Sequence, residues 1–107
     1  MTAFSSQQHG VAVLGIFVAD LAFRAADLPG VGQTIAGSGF AMGPGGKGSN
    51  QSVAAARAGA QVTFISKLGQ DSFGANALAL WAQEGITPRV PQVATQPTGA
   101  AFIYVHE

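Results

Sequence analysis

A mixed α/β fold with a mostly parallel sheet is the reading of this sequence, and three observations predict it. Apolar, β-branched runs alternate with segments of helical spacing, in the order strand, strands, helix, strand, helix, strand. A side-chain-poor turn, Gly43-Pro44-Gly45-Gly46-Lys47-Gly48, leads straight into an alanine-rich helix. Gly59 and Gly85 then supply the two helix stops.

The elements follow in order. Residues 1–9 are polar and unpatterned and read as a loose N-terminal tail, which leaves 10–107 as the folded part. Residues 10–18 form one continuous apolar run, as expected of a strand buried on both faces, with Asp20 just past its carboxyl end. Leu28-Pro29-Gly30-Val31-Gly32 is a turn, and residues 33–42 alternate loosely as a more exposed second strand. The first helix is expected over 49–58, capped by Ser49 or Asn50, its alanines allowing a close approach to the sheet. A strand over 61–67 carries Val62, Phe64 and Ile65. Asp71 or Ser72 caps a helix over 73–84, whose Ala75, Leu78, Trp81 and Ala82 fall at helical spacing. A proline-broken stretch, 87–97, leads to a last strand over 98–105. That strand has no helix after it to cover it, which predicts either a piece of a larger α/β body or a protein completed by a partner.

Composition narrows the function. Of 107 residues, 48% are hydrophobic and only 9% charged, well under the roughly 25% charged of ordinary domains. Net charge is zero, so no basic stripe exists for nucleic acid or for an anionic membrane. Cysteine is absent, which excludes disulfides and thiolate metal sites. No apolar run reaches the roughly 18 residues of a membrane span. Residues 11–19 imitate a signal-peptide core, but the first basic residue is Arg24, after it; a cytoplasmic protein is expected.

Two features carry chemistry. Asp20 is one of few charges, placed at the sheet edge where open α/β folds bind ligands. A carboxylate there accepts two hydrogen bonds, and vicinal sugar hydroxyls offer two, although an aspartate beside a strand also reads as a simple turn former. The glycine-rich run is the second. It is not a P-loop, which would need Gly at 41 and Ser or Thr at 48, where this chain has Ala41 and Gly48. Nor is it a dinucleotide fingerprint, since it follows a long β excursion. Either it is a plain turn into a helix, or the exposed N–H groups and helix dipole make it a cradle for a polar ligand. His9 and His106 have no partners nearby in sequence and read as surface residues; Trp81 and Leu78 read as core.

With its flanks the run becomes specific. Gly45-Gly46-Lys47-Gly48-Ser49-Asn50-Gln51-Ser52-Val53-Ala54-Ala55-Ala56-Arg57-Ala58-Gly59-Ala60, then Val62-Thr63-Phe64-Ile65-Ser66-Lys67-Leu68-Gly69-Gln70-Asp71-Ser72-Phe73-Gly74, resembles the N-terminal signature of the ribokinase-like (PfkB) carbohydrate kinases. The resemblance covers nearly the whole chain. It implies the N-terminal portion of a three-layer α/β sandwich with a small β lid, the lid segments being about 20–42 and 98–106. It also implies ATP-dependent phosphorylation of a sugar hydroxymethyl group. The substrate-binding positions it carries over are Asp20, Gly46, Lys47 and Asn50. Ribose-using members of that family usually have Asn two residues before the aspartate; Val18 stands there, which leaves ribose, another pentose, a hexose and a nucleoside all open. ATP and Mg2+, with room for a monovalent cation, are implied for the complete family enzyme and none for this chain alone. A homodimer through the lid is implied as well.

The Gly-Ala-Gly-Asp segment that supplies the family's catalytic base does not occur in these residues, and nothing resembles its ATP region. No catalytic residue and no metal ligand is therefore assigned; Asp71 is a helix cap rather than a base. Two functions follow. The chain is either the sugar-binding and lid half of a ribokinase-type enzyme, inactive alone, or a non-catalytic sugar-binding or dimerisation module that pairs with a separate C-terminal half.

Overall fold

The computed structural model describes residues 10–107; the tail expected over 1–9, His9 included, lies outside the described residues. The elements are β1 (Gly10–Leu14), β2 (Val18–Ala25), β3 (Gly39–Gly45), α1 (Lys47–Arg57), β4 (Gln61–Ile65), β5 (Leu68–Gly69), α2 (Ser72–Gln83), β6 (Thr87–Arg89), β7 (Gln92–Val93) and β8 (Ala100–His106). They form a parallel body sheet in the order β1-β4-β6, an outlying sheet in the order β3-β2-β8 and a small parallel pair, β5-β7.

The body is built from parallel crossovers sharing β4: the chain passes from β1 to β4 through β2, β3 and α1, and from β4 to β6 through β5 and α2. Val62 and Phe64 turn one face of β4 toward both helices and into a core with Phe17, Leu68, Ala77, Trp81 and Ile86. Trp81 is fully buried, meeting Phe64 and Phe17 edge-on at centroid separations of 4.9 and 5.8 Å. Its indole N–H donates to Ser49 Oγ at 3.1 Å, joining α2 to α1. At the C-terminal ends of the same helices, Arg57 pairs bidentately with Glu84 at 2.8 Å. Trp81 and Leu78 thus belong to the core, as their spacing predicts.

Several boundaries differ from expectation, each for a tertiary reason. The run 10–18 is not one strand. It breaks at Gly15-Ile16-Phe17, where Gly15 stacks against Gly48 of α1 so closely that a Cβ on either would overlap the other's Cα. Nor is β1 buried on both faces: it is an edge strand, and Leu14 is 81% exposed. Asp20 accordingly lies inside β2, third in the strand, and not past a strand's end. The second strand is Gly39–Gly45 rather than 33–42, and its Pro44 is tolerated because β3 is an edge. Helix α1 starts two residues early, with Gly46 as its N-cap and no side-chain cap, so neither Ser49 nor Asn50 plays that part. Strand β4 ends at Ile65, and the stretch 87–97 contains β6 and β7. In α2 the buried stripe is Gly74, Ala77 and Trp81, while Ala75 and Ala82 are exposed. Asp71 caps α2, accepting from Gly74 N–H at 2.8 Å.

The outlying sheet has no helix of its own. Strand β2 pairs antiparallel with β3 from Val18–Gly45 to Arg24–Gly39, and parallel with β8 from Ala19–Ala100 to Ala25–His106. The last strand therefore closes this sheet and not the body sheet.

Candidate functional site

Side-chain alternation gives the outlying sheet two unlike faces. One face presents Val18, Asp20 and Ala22 of β2, with Gly45, Gly43 and Ala41 of β3 opposite them and Ala101 and Ile103 of β8 beside them. Around Asp20 its neighbours are glycines and an alanine, so little stands over the carboxylate. The other face presents Leu21 and Phe23 with Met42, Phe40, Phe102 and Tyr104. Phe23 stacks with Phe40 and Phe102 at centroid separations of 5.0 and 5.6 Å.

The acid and the helix entrance are in contact. A Cβ built on Gly45 would overlap the Asp20 carboxylate, so the carboxylate lies over the bare Gly45 backbone. Gly46 follows at φ +92°, a conformation glycine adopts without strain, and its Cα packs onto the Ile16–Phe17 backbone. The chain turns there into α1, and Lys47 is its first residue. The turn is held by Ser49 N–H donating to the Ile16 carbonyl at 3.3 Å and Asn50 N–H to the Gly46 carbonyl at 2.9 Å. Asp20 is half-buried, whereas Lys47 and Asn50 are exposed. The ion pair among the described residues is Arg57–Glu84, so Asp20 and Lys47 do not neutralise each other.

The four positions named from sequence are thus distributed unequally. Asp20 and Gly46 converge through Gly45, and Lys47 is the next residue. Asn50 stands one turn on, in an open groove of about 430 Å³ with Pro44, Val53, Ala54, Arg57 and Leu80. A separate apolar notch of about 160 Å³, lined by Phe17, Ala19, Met42, Pro44, Phe73 and Leu80, lies between the sheet base and α2. Neither of these two cavities is lined by Asp20 or Lys47. The arrangement is an open shelf: one acceptor, one ammonium and one carboxamide around a glycine corner.

Sequence reasoning overlooked three neighbours of this shelf. Gly45, and not only Gly46, permits the contact with Asp20; the glycine doublet was the available signal. Ala101 stands beside Asp20 in register, which no local pattern could give. Thr98, read as the start of a strand, is instead 6% exposed and fixed by hydrogen bonds to Asp71 and Gly69.

The pfkB family carbohydrate kinase model matches residues 8–107. The ribokinase of Haemophilus influenzae is 45% identical over 94 residues, which cover 87% of this chain and 31% of that protein. Among solved structures, ribokinase from Giardia lamblia superposes with a TM-score of 0.84 at 38% identity, covering 94% of this chain and 33% of that one. A ribokinase from Arabidopsis thaliana, complexed with ribose and ATP, gives 0.85 at 28% identity, with 94% and 33% covered. The chain spans about a third of the length of the curated relatives it matches, and the matches share its fold.

Proposed function

The chain belongs to the pfkB family of carbohydrate kinases, and on that premise we propose that it supplies the sugar-binding and lid part of a ribokinase-type enzyme. The whole enzyme would transfer a phosphoryl group from ATP to a sugar hydroxymethyl group. The contact of the Asp20 carboxylate with Gly45, one residue before the N-cap of α1, carries this reading. Asp20 accepts hydrogen bonds from vicinal hydroxyls. Lys47 and Asn50 donate to sugar oxygens, and Gly46 keeps the backbone within reach of the ring. Val18 sits on the same sheet face as Asp20, two residues away, and its methyl groups offer no hydrogen bond. A sugar carbon bearing no hydroxyl suits that wall better than one bearing a hydroxyl, whose desolvation would go uncompensated.

ATP and Mg2+ belong, in this reading, to residues beyond those described. No group of three His, Cys, Asp or Glu side chains converges among the described residues, so no metal cage and no step of phosphoryl transfer is assigned to them. The outlying sheet serves as the lid that excludes water from that transfer. Its aromatic face is the natural contact for a second copy: Phe40 and Phe102 are 61% and 66% exposed. No helix among the described residues is long and apolar enough to cross a membrane.

Calorimetric titration of the chain with ribose and 2-deoxyribose tests the sugar site. Binding that Asp20→Ala weakens by about tenfold or more, some 1.4 kcal/mol, supports the reading; binding indifferent to Asp20→Ala overturns it. An ADP-release assay on the chain alone is expected to show no turnover.

A second reading keeps the sugar site but makes the chain a non-catalytic module paired with a separate C-terminal half. One observation favours it: Leu14 and Ile65, register partners on the body-sheet face turned away from the helices, are exposed. Sedimentation of the chain with a separately expressed C-terminal half distinguishes the two readings, since only the module forms a stable complex in trans.

A further inference from the structure

We infer that Asp71 is a positioning residue that fixes lid strand β8 beside Asp20 from the body side. Three of its interactions make the case. The Asp71 carboxylate accepts from Gly74 N–H at 2.8 Å through Oδ1, capping α2. The same Oδ1 accepts from the Thr98 hydroxyl at 2.7 Å, and Oδ2 accepts from Thr98 N–H at 2.8 Å. Thr98 Oγ1 in turn accepts from Gly69 N–H at 2.9 Å, so the hydroxyl both donates and accepts. One carboxylate therefore serves a helix of the body and the residue that leads into the lid.

The lever arm from this knot to the sugar shelf is short. Thr98 is followed by Gly99, whose carbonyl accepts from Ala19 N–H at 2.8 Å, and then by Ala100, the register partner of Ala19. Ala101 is the register partner of Asp20. Strand β8 is an edge of its sheet with β2 as its one strand neighbour. An edge strand held along one side only depends on its ends for register, and the Asp71–Thr98 pair is the end nearest the shelf. The consequence for a ligand rests on the sugar-site reading above; the mechanical coupling does not.

Asp71→Asn separates the two duties of the carboxylate. Asparagine is as good an N-cap as aspartate, so Gly74 keeps its acceptor. Its amide nitrogen, however, places a donor against the Thr98 N–H. Thr98→Ser retains both Thr98 donors and serves as the conservative variant.

Residue-resolved hydrogen exchange on the 107-residue chain is the test. In Asp71→Asn, protection of the β8 amides bonded to β2 is expected to fall about tenfold or more, while β4 amides change less than twofold. Thr98→Ser should keep β8 protection within about twofold of the parent. Unchanged β8 protection in Asp71→Asn, or an equal loss in β8 and β4, would overturn the inference and leave Asp71 a plain cap. The parallel sugar titration reports separately: β8 loosening in a chain that binds no sugar leaves this coupling standing and removes the sugar reading.

Discussion

The body and the lid use aromatic residues in opposite ways. In the body, Trp81 of α2 and Phe64 of β4 are fully buried between the helices and the sheet and sealed by edge-on ring contacts. In the lid, Phe23, Phe40 and Phe102 stack on one another but face outward, because a three-stranded sheet without a helix has nothing to cover them. The molecule is correspondingly drawn out, 64 × 33 × 18 Å, with a radius of gyration of 17.6 Å against about 13 Å for a compact domain of this length. The difference teaches that the body's aromatics stabilise this chain, whereas the lid's are available to something else.

The largest expected effect breaks the body. Trp81→Ala should cost about 3–5 kcal/mol, enough to unfold much of the chain in a urea titration. Phe102→Ala, on the exposed face, should change the same midpoint by only about 0.5 kcal/mol while weakening self-association in sedimentation. Equal effects of the two would erase the distinction between regions.

Gly45→Ala acts at the join. The new Cβ displaces the Asp20 carboxylate, so sugar affinity measured by calorimetry should fall about tenfold, equivalent to 1.4 kcal/mol. The urea midpoint of the body should move little by comparison.

Acid sharpens the comparison further, with a smaller effect. Hydrogen bonds from the Thr98 hydroxyl, the Thr98 N–H and the Gly74 N–H hold the Asp71 carboxyl below its ordinary value. A depressed carboxylate stabilises the fold above its unfolded pKa of roughly 3.9, and that contribution is lost as pH falls through the folded value. Exchange measured from pH 5 downward should therefore show β8 loosening before β4. Glu84 is lowered too, by its hydrogen bond with Arg57, a pair whose guanidinium side lies open to solvent and is screened by it.

Much of the body was legible in the sequence because it is governed by local rules. The stops at Gly59 and Gly85, the cap at Asp71 or Ser72 and the core placement of Trp81 and Leu78 all follow from spacing and propensity. For the lid, local pattern gave an exposed strand over 33–42 and a last strand over 98–105, and only family resemblance joined them into one lid. Its first strand takes only Val18 from the apolar run, whose break depends on Gly15 meeting Gly48, a contact 33 positions apart in the chain. Its second strand contains Pro44, a residue that argues against a strand until the strand is known to be an edge. The site divides the same way. Asp20 and Lys47 stand out as rare charges in a chain with five basic and five acidic residues, and Gly46 through the glycine doublet before Lys47. Their meeting through Gly45, and the support given by Thr98, depend on register between β2, β3 and β8.

The sole tryptophan and the sole tyrosine of this chain fall on opposite sides of that divide. Trp81 is sealed in the body, while Tyr104 lies in β8, its hydroxyl donating to the Ala25 carbonyl at 3.1 Å. The chain thus carries two intrinsic chromophores, one per region, with no label added. Indole emission follows melting of the helical half and phenol absorbance follows detachment of the outer strands, so a single denaturation run can tell whether the halves come apart together or in turn.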